Sequence, residues 1–290
     1  MFRGSITALV TPFKNGAVEE ASFVRLLERQ IAAGTHGVVP CGTTGEVATL
    51  SDDEFQRLIA LTVEVCGGRI PVIAGTGTND TARTIARQRY AQSVGADAGL
   101  VIAPYYNRPD QAGIAAHIEA VADASDLPVI VYNVPGRTVT DISPATLARL
   151  SAHPRIIGVK DATGEMGRVT RHKLDCRKGF VQLSGDDPSA LGHYAHGGAG
   201  AISVTSNVAP AQCAAFHQAC LDGEWDEARA INARLQALHE ALFCAPSPAP
   251  AKYALSALGL CEAELRLPLV ACDDVARRRV DAAMAGLDLS

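Results

Sequence analysis

The chain has 290 residues, 48% of them hydrophobic and 20% charged, a length that fits one large domain or two ordinary ones with a sizeable core. A net charge of −5 and 5% aromatic residues supply neither a basic field for polyanions nor a stacking platform, which excludes nucleic acid as a partner and favours small molecules. No run reaches the roughly 18 apolar residues that cross a bilayer, and the start Met1-Phe2-Arg3-Gly4-Ser5 does not read as a signal peptide, so no membrane contact and a cytoplasmic location are expected.

Along the chain, short runs rich in Val and Ile alternate with longer stretches of helical period. The predicted strands are Ser5–Val10, Gly37–Pro40, Val72–Gly75, Ala98–Ala103, Pro128–Asn133, Ile156–Lys160, Phe180–Ser184 and Gly200–Val204. Helices are expected between them over Glu19–Ala33, Asp52–Cys66, Thr78–Val94, Gln111–Ala124 and Pro144–Leu150. Strands apolar on both faces with helical crossovers fit an α/β fold, a (β/α)8 TIM barrel, with a doubly wound open sheet as the alternative. After Val204 only helical pattern remains, over Pro210–Asp222, Trp225–Phe243 and Pro250–Leu258, interrupted by Ala245-Pro246-Ser247-Pro248-Ala249-Pro250. This divides the chain into a catalytic barrel, residues 1–223, and a small C-terminal helical subdomain, residues 224–290.

A barrel of this kind builds its site from the C-terminal strand ends. The unusual strings fall there: Cys41-Gly42-Thr43-Thr44-Gly45-Glu46, Tyr105-Tyr106-Asn107, Tyr132-Asn133-Val134-Pro135-Gly136-Arg137-Thr138, Lys160, Ser184-Gly185-Asp186-Asp187 and Ile202-Ser203. Glycines around Thr43 and Thr44 let the backbone turn tightly and present N–H and hydroxyl donors to a small oxyanion, although a capped turn needs no ligand. Lys160 closes the apolar run Ile156-Ile157-Gly158-Val159. Burying such an amine charged is costly, which makes a neutral nucleophile able to form a Schiff base; the ordinary alternative is an ammonium reaching solvent. Tyr132, on the neighbouring strand, could shuttle protons, and Arg137 offers a planar fork for a carboxylate.

Other signals are weaker. The eight cysteines form no C-x-x-C pair, and His193 and His196 lack the spacing of a helical zinc pair, so no metal is expected. Gly75-Thr76-Gly77-Thr78 lacks the third glycine of a dinucleotide fingerprint and no Walker sequence occurs, so no nucleotide cofactor is implied.

The strings G-S-I-T-A-L-V-T-P-F, G-T-T-G-E, I-P-V-I-A-G-T-G, P-Y-Y-N-R-P, Y-N-V-P-G-R-T, I-I-G-V-K, L-S-G-D-D and A-I-S-V-T run through nearly the whole chain. Together they resemble the dihydrodipicolinate synthase family, within the pyruvate-dependent class I aldolases and lyases that include N-acetylneuraminate lyase. The resemblance implies a lyase joining pyruvate to L-aspartate 4-semialdehyde on the route to diaminopimelate and lysine, with no cofactor beyond the lysine Schiff base. It implies Lys160 as the imine-forming residue and Tyr132 as proton donor and acceptor. The relay would run through Thr43 to Tyr106, which enters from a neighbouring subunit of a homotetramer. Thr44 and the Ile202 backbone would hold pyruvate, Arg137 the carboxylate of the semialdehyde, and Gly185 would lie beside the pocket.

The positions matching the family's lysine effector site are Val47, Ala48, Asp52, Phe55, Asn79, Arg83 and Tyr105. Arg83 stands where a glutamate is common, and Asp52 and Phe55 where histidines are common, so lysine is expected to inhibit weakly or not at all. The nearer rival is an aldolase for N-acetylneuraminate or a 2-keto-3-deoxy sugar acid, disfavoured by Arg137 and by the second threonine of G-T-T-G-E. The farther rival is a non-catalytic keto-acid-binding paralogue, against which Lys160, Tyr132 and Tyr106 speak.

Overall fold

In a computed structural model that describes residues 2–289, the apolar runs become eight parallel strands. They are β1 (Gly4–Ala8), β2 (Gly37–Val39), β3 (Ile73–Gly75), β4 (Ala98–Ile102), β5 (Val129–Asn133), β6 (Ile156–Asp161), β7 (Val181–Ser184) and β8 (Gly200–Ser203). The spatial order is β2-β1-β8-β7-β6-β5-β4-β3, and a parallel bridge between Val38 and Val72 joins the two remaining edges. That closure rules out the open sheet. A barrel leaves no unpaired strand edge, so short strands of Val and Ile can be buried on both faces.

The inward side chains, among them Ile6, Ala8, Val39, Ile73, Leu100, Ile130, Leu183 and Ile202, form one buried cluster that fills the barrel. The outward ones pack under the helices: Val101, Val131 and Val159, for instance, lie with Ile114, Ile118 and Leu147. The helices are α1 (Glu20–Ala32), α2 (Asp52–Cys66), α3 (Thr81–Ser93), α4 (Gln111–Asp123), α5 (Pro135–Thr138), α6 (Pro144–Ser151), α7 (Met166–Asp175), α8 (Ala190–Ala195), α9 (Pro210–Asp222), α10 (Trp225–Ala241), α11 (Ala249–Ala257) and α12 (Asp274–Met284). Local chemistry sets several of their starts. Ser51 and Glu54 cap α2 reciprocally, and the carboxylates of Asp80, Asp110 and Asp273 accept from the first turns of α3, α4 and α12. Gly223, at φ +81°, ends α9.

Two irregularities matter for the site. Between β5 and β6 the pairing slips by one residue, so that Val129 faces Ile156 while Ile130 faces Gly158. The extra residue brings Tyr132 opposite Lys160 rather than opposite Val159. β1 ends at Ala8, earlier than expected: the Leu9 N–H still bonds Val39 O at 3.0 Å, but the Val10 N–H turns to the Asn207 Oδ1 at 3.1 Å instead of a strand.

The structure adds elements that the sequence pattern did not announce: a hairpin of Phe13–Lys14 and Ala17–Val18, the helices α7 and α8 that complete the alternation, the single turn α5, and α12. The hairpin turns at Asn15 and Gly16, both at positive φ, as tight two-residue loops require. The C-terminal helices share their core with the barrel, since Val10, Leu26, Ala201 and Val204 belong to the same cluster as Leu235, Leu238, Ala251 and Leu255.

Candidate active site

A cavity of about 350 Å³ opens at the C-terminal ends of the strands, and Lys160, Tyr132, Thr43, Thr44, Arg137 and Gly185 all line it. Six residues chosen from four separate strand ends thus converge. Tyr105, Val47 and Ala48 also reach this cavity. Tyr106, Ile202, Asp52, Phe55, Asn79 and Arg83 are not among its lining. Ile202 is 1% exposed, its side chain inside the barrel. Tyr106 is 91% exposed, held outward by a backbone at φ +70°.

Lys160 is 6% exposed, and its Nζ lies 4.3 Å from the centroid of the Tyr132 ring, across the β5–β6 pair that the register slip aligns. Among the described residues no carboxylate pairs with this amine. The adjacent Asp161 is occupied elsewhere: it accepts from the Thr163 backbone and hydroxyl at 2.8 and 2.5 Å and faces the Arg168 guanidinium at 3.5 Å. Gly185 is needed for room. A Cβ there would stand 2.9 Å from Lys160 Cε and 2.7 Å from Ala162 Cβ.

The turn after β2 is tightly wound. Gly42 O accepts from Gly45 and Val47, Thr43 O from Glu46, and the Thr11 hydroxyl bonds Gly45 O at 2.7 Å. Cys41 and Glu46, at φ +55° and +54°, bracket it in a conformation costly to side chains with a Cβ. β3 presses on it so closely that a Cβ on Gly75 would sit 2.2 Å from Cys41 O. The result is a buried Thr44 and a half-buried Thr43 at the cavity wall.

Arg137 projects, exposed, from α5, whose loop is anchored from behind. Asn133 donates to Asp141 at 2.8 Å and accepts from the Ile142 N–H at 3.0 Å, and Arg168 binds Asp141 at 2.9 Å. In the loop after β7, the buried Asp187 carboxylate accepts from the Val204 and Thr205 N–H groups at 2.9 and 3.0 Å. Burial alone would raise its pKa, but His239, the Ser203 hydroxyl and those backbone donors hold the carboxyl below its ordinary value.

Several of the residues matching the effector site have partners within the fold. Asp52 pairs with Arg83 at 2.7 Å and Arg87 at 3.3 Å, while the Arg87 guanidinium stacks over the Phe55 ring at 4.4 Å. Asn79 O accepts from Asn107 at 2.8 Å.

Sequence reasoning missed a buried charge pair, Lys252 with Glu46. Lys252, on α11, is fully buried and donates to Glu46 Oε1 at 2.5 Å and to Glu264 O at 2.7 Å. Its Nζ also sits 4.1 Å from the Phe13 ring centroid. The C-terminal region reaches the cavity too, through Phe243, Ser247, Pro268 and Leu269. The only local hint was a lysine in the apolar setting Ala249–Leu255. Among the described residues no group of three or more His, Cys, Asp or Glu is arranged to hold a metal, and no helix is long and apolar enough to cross a membrane.

A family model described as the dihydrodipicolinate synthetase family matches residues 1–286. A 4-hydroxy-tetrahydrodipicolinate synthase of Hyphomonas neptunium is 59% identical over 287 residues, covering 98% of each chain. Among solved structures, the dihydrodipicolinate synthase of Aquifex aeolicus is 39% identical at a TM-score of 0.96, covering 98% of this chain and 97% of its own. That of Acinetobacter baumannii, complexed with pyruvate, is 40% identical at a TM-score of 0.96 with 99% of both chains covered.

Proposed function

The chain belongs to the dihydrodipicolinate synthetase family and has the lyase activity of a 4-hydroxy-tetrahydrodipicolinate synthase in diaminopimelate and lysine biosynthesis, and on that premise we propose that it works through an imine between Lys160 and pyruvate. The observation that carries the proposal is a buried, carboxylate-free lysine amine lying against Tyr132 at a cavity with the right donors around it.

The Lys160 amine attacks the keto carbon of pyruvate, and Tyr132 passes the protons that let the carbinol oxygen leave as water. Thr44 and the Ile202 backbone hold the pyruvate carboxylate, and Gly185 leaves the lysine stem free to move. The iminium draws electrons from the methyl group, which gives up a proton and becomes an enamine. The enamine carbon then bonds to the aldehyde carbon of L-aspartate 4-semialdehyde, whose carboxylate Arg137 takes in its fork. The amino group of that substrate attacks the imine carbon, closes the ring and releases Lys160 as the free amine. The iminium is the electron sink, so the sequence of steps calls on no metal or organic cofactor. Thr43 links Tyr132 to Tyr106, whose outward, strained position suits it to a neighbouring subunit's site in a homotetramer. All these reactants are soluble metabolites, and the protein works in the cytoplasm.

The test is a coupled assay with pyruvate and aspartate semialdehyde, following NADPH oxidation by an added reductase for the product, with borohydride trapping of pyruvate in parallel. Turnover together with a trapped adduct on Lys160 supports the reading. A trapped adduct without turnover moves the activity to another aldehyde, and the absence of both overturns the imine.

A further inference from the structure

The glutamate of the turn after β2 is bound from outside the barrel. Glu46 is 4% exposed, and its carboxylate takes the Lys252 ammonium on one oxygen at 2.5 Å and the Arg266 N–H on the other at 3.1 Å. The holding segment is itself stapled down. Arg266 donates to Thr49 O and Gly16 O at 2.9 and 2.8 Å and forks onto Glu54 at 2.5 and 2.7 Å, while the Glu264 carboxylate accepts from the Asn15 and Gly16 N–H groups at 2.8 and 2.6 Å. Lys252 and Arg266 both lie over the ring of Phe13, at 4.1 and 4.3 Å.

A buried ion pair of this kind adds little net stability, because desolvation offsets the attraction, but it fixes two groups relative to each other. Here burial pulls the Lys252 ammonium below its ordinary pKa, and Glu46 offsets part of that shift. The fixed group sits at φ +54°, two residues after Thr44, and such a backbone persists only where its surroundings over-determine it. Inside the barrel the turn is held by the Thr11 hydroxyl on Gly45 O and by the wall of β3. Its far end is held locally by Thr49, whose N–H and hydroxyl donate to Glu46 O at 3.0 and 3.1 Å, and from the C-terminal region through the Glu46 carboxylate.

We propose that Glu46 and Lys252 are positioning residues for the reaction: the C-terminal helices hold the strained turn through this pair and so set Thr43 and Thr44 at the cavity wall. The pair touches no substrate. Its effect on turnover passes through the two threonines, and the proposal therefore rests on the function assigned to them above.

The experiment measures the pyruvate concentration that half-saturates borohydride trapping on Lys160, together with kcat, KM and Tm. Three variants are compared with the wild type: Lys252→Met, the double variant Glu46→Gln/Lys252→Met, and Leu255→Ala, which weakens the same helix from its buried side without meeting the carboxylate. The expected result is a rise of about 10-fold or more in half-saturating pyruvate for both pair variants and a loss of kcat/KM of about 10²-fold, as misplacement of binding groups by about 1 Å produces. The double variant regains Tm, since it leaves no charge unpaired, while its trapping stays impaired. Leu255→Ala loses Tm and keeps half-saturation near the wild type. If Lys252→Met does not fold, the double variant decides on the same readout. Half-saturation within about twofold of wild type in the double variant, or an equal shift in Leu255→Ala at matched Tm, overturns the proposal. A wild type that traps no pyruvate overturns instead the function it rests on.

Discussion

The barrel mouth and the seam where the C-terminal helices meet the barrel each bury a lysine amine against an aromatic ring, Lys160 at 4.3 Å from Tyr132 and Lys252 at 4.1 Å from Phe13. Their surroundings differ in one respect. Lys252 is answered by a carboxylate and a carbonyl, whereas Lys160 faces a cavity with no carboxylate paired to it. The carboxylate and the carbonyl hold the Lys252 amine in place as a strut, whereas the Lys160 amine is left open to the cavity, where the nucleophile proposed above would act. Burial alone does not separate these roles, since both amines are buried. The opposing charge does.

The contrast is broken most directly at Lys160. Lys160→Met is expected to abolish both the trapped pyruvate adduct, read by intact mass, and turnover, with Tm near the wild type because no partner is left unpaired. An adduct surviving in that variant would move the nucleophile elsewhere. Tyr132→Phe keeps the ring against the amine and removes the hydroxyl; a loss of about 10²–10⁴-fold in kcat is expected, with slowed imine formation in stopped-flow trapping. Arg137→Ala sharpens the division within the mouth itself. It should raise KM for the semialdehyde about 10-fold to 10²-fold, the worth of a charged hydrogen-bonded contact, and leave pyruvate trapping unchanged.

At the seam the response is to acid. The hydrogen bonds from Arg266, aided by Ser51, hold the Glu54 carboxyl at about 2 against its ordinary 4.5, despite some burial. A lowered carboxylate contributes stability that is present above about 4.5 and lost as pH falls toward about 2. Hydrogen exchange should therefore show residues around Arg266 loosening in that window, and Arg266→Met should flatten the change. The smallest effect is expected from added lysine. Among the positions that match the family's effector site Arg83 is turned onto Asp52, and low-millimolar lysine is expected to leave turnover nearly unchanged. A clear drop in rate would refute this.

Much of this was legible in the chain. Eight strands, most of the helices and the six residues brought together at the mouth are written in neighbouring letters: an apolar run, then a polar string at its end. The Asn15-Gly16 hairpin and the Asp273 cap of α12 carry local signals as well, but they lie outside the βα rhythm. The sequence by itself therefore determined the barrel, its likeness to a family and the identity of the residues at the mouth, since all of these rest on local periodicity and short motifs. Tertiary structure decided the rest. The slip that puts Lys160 opposite Tyr132 depends on which residues of two strands pair, and the same letters in straight register would present Val159. The clasp of Lys252 on Glu46 spans 206 residues, and that of Arg266 on Glu54 spans 212. A charge pair carries no periodicity in sequence, and nothing written near either lysine says which of them will find a carboxylate once the chain has folded.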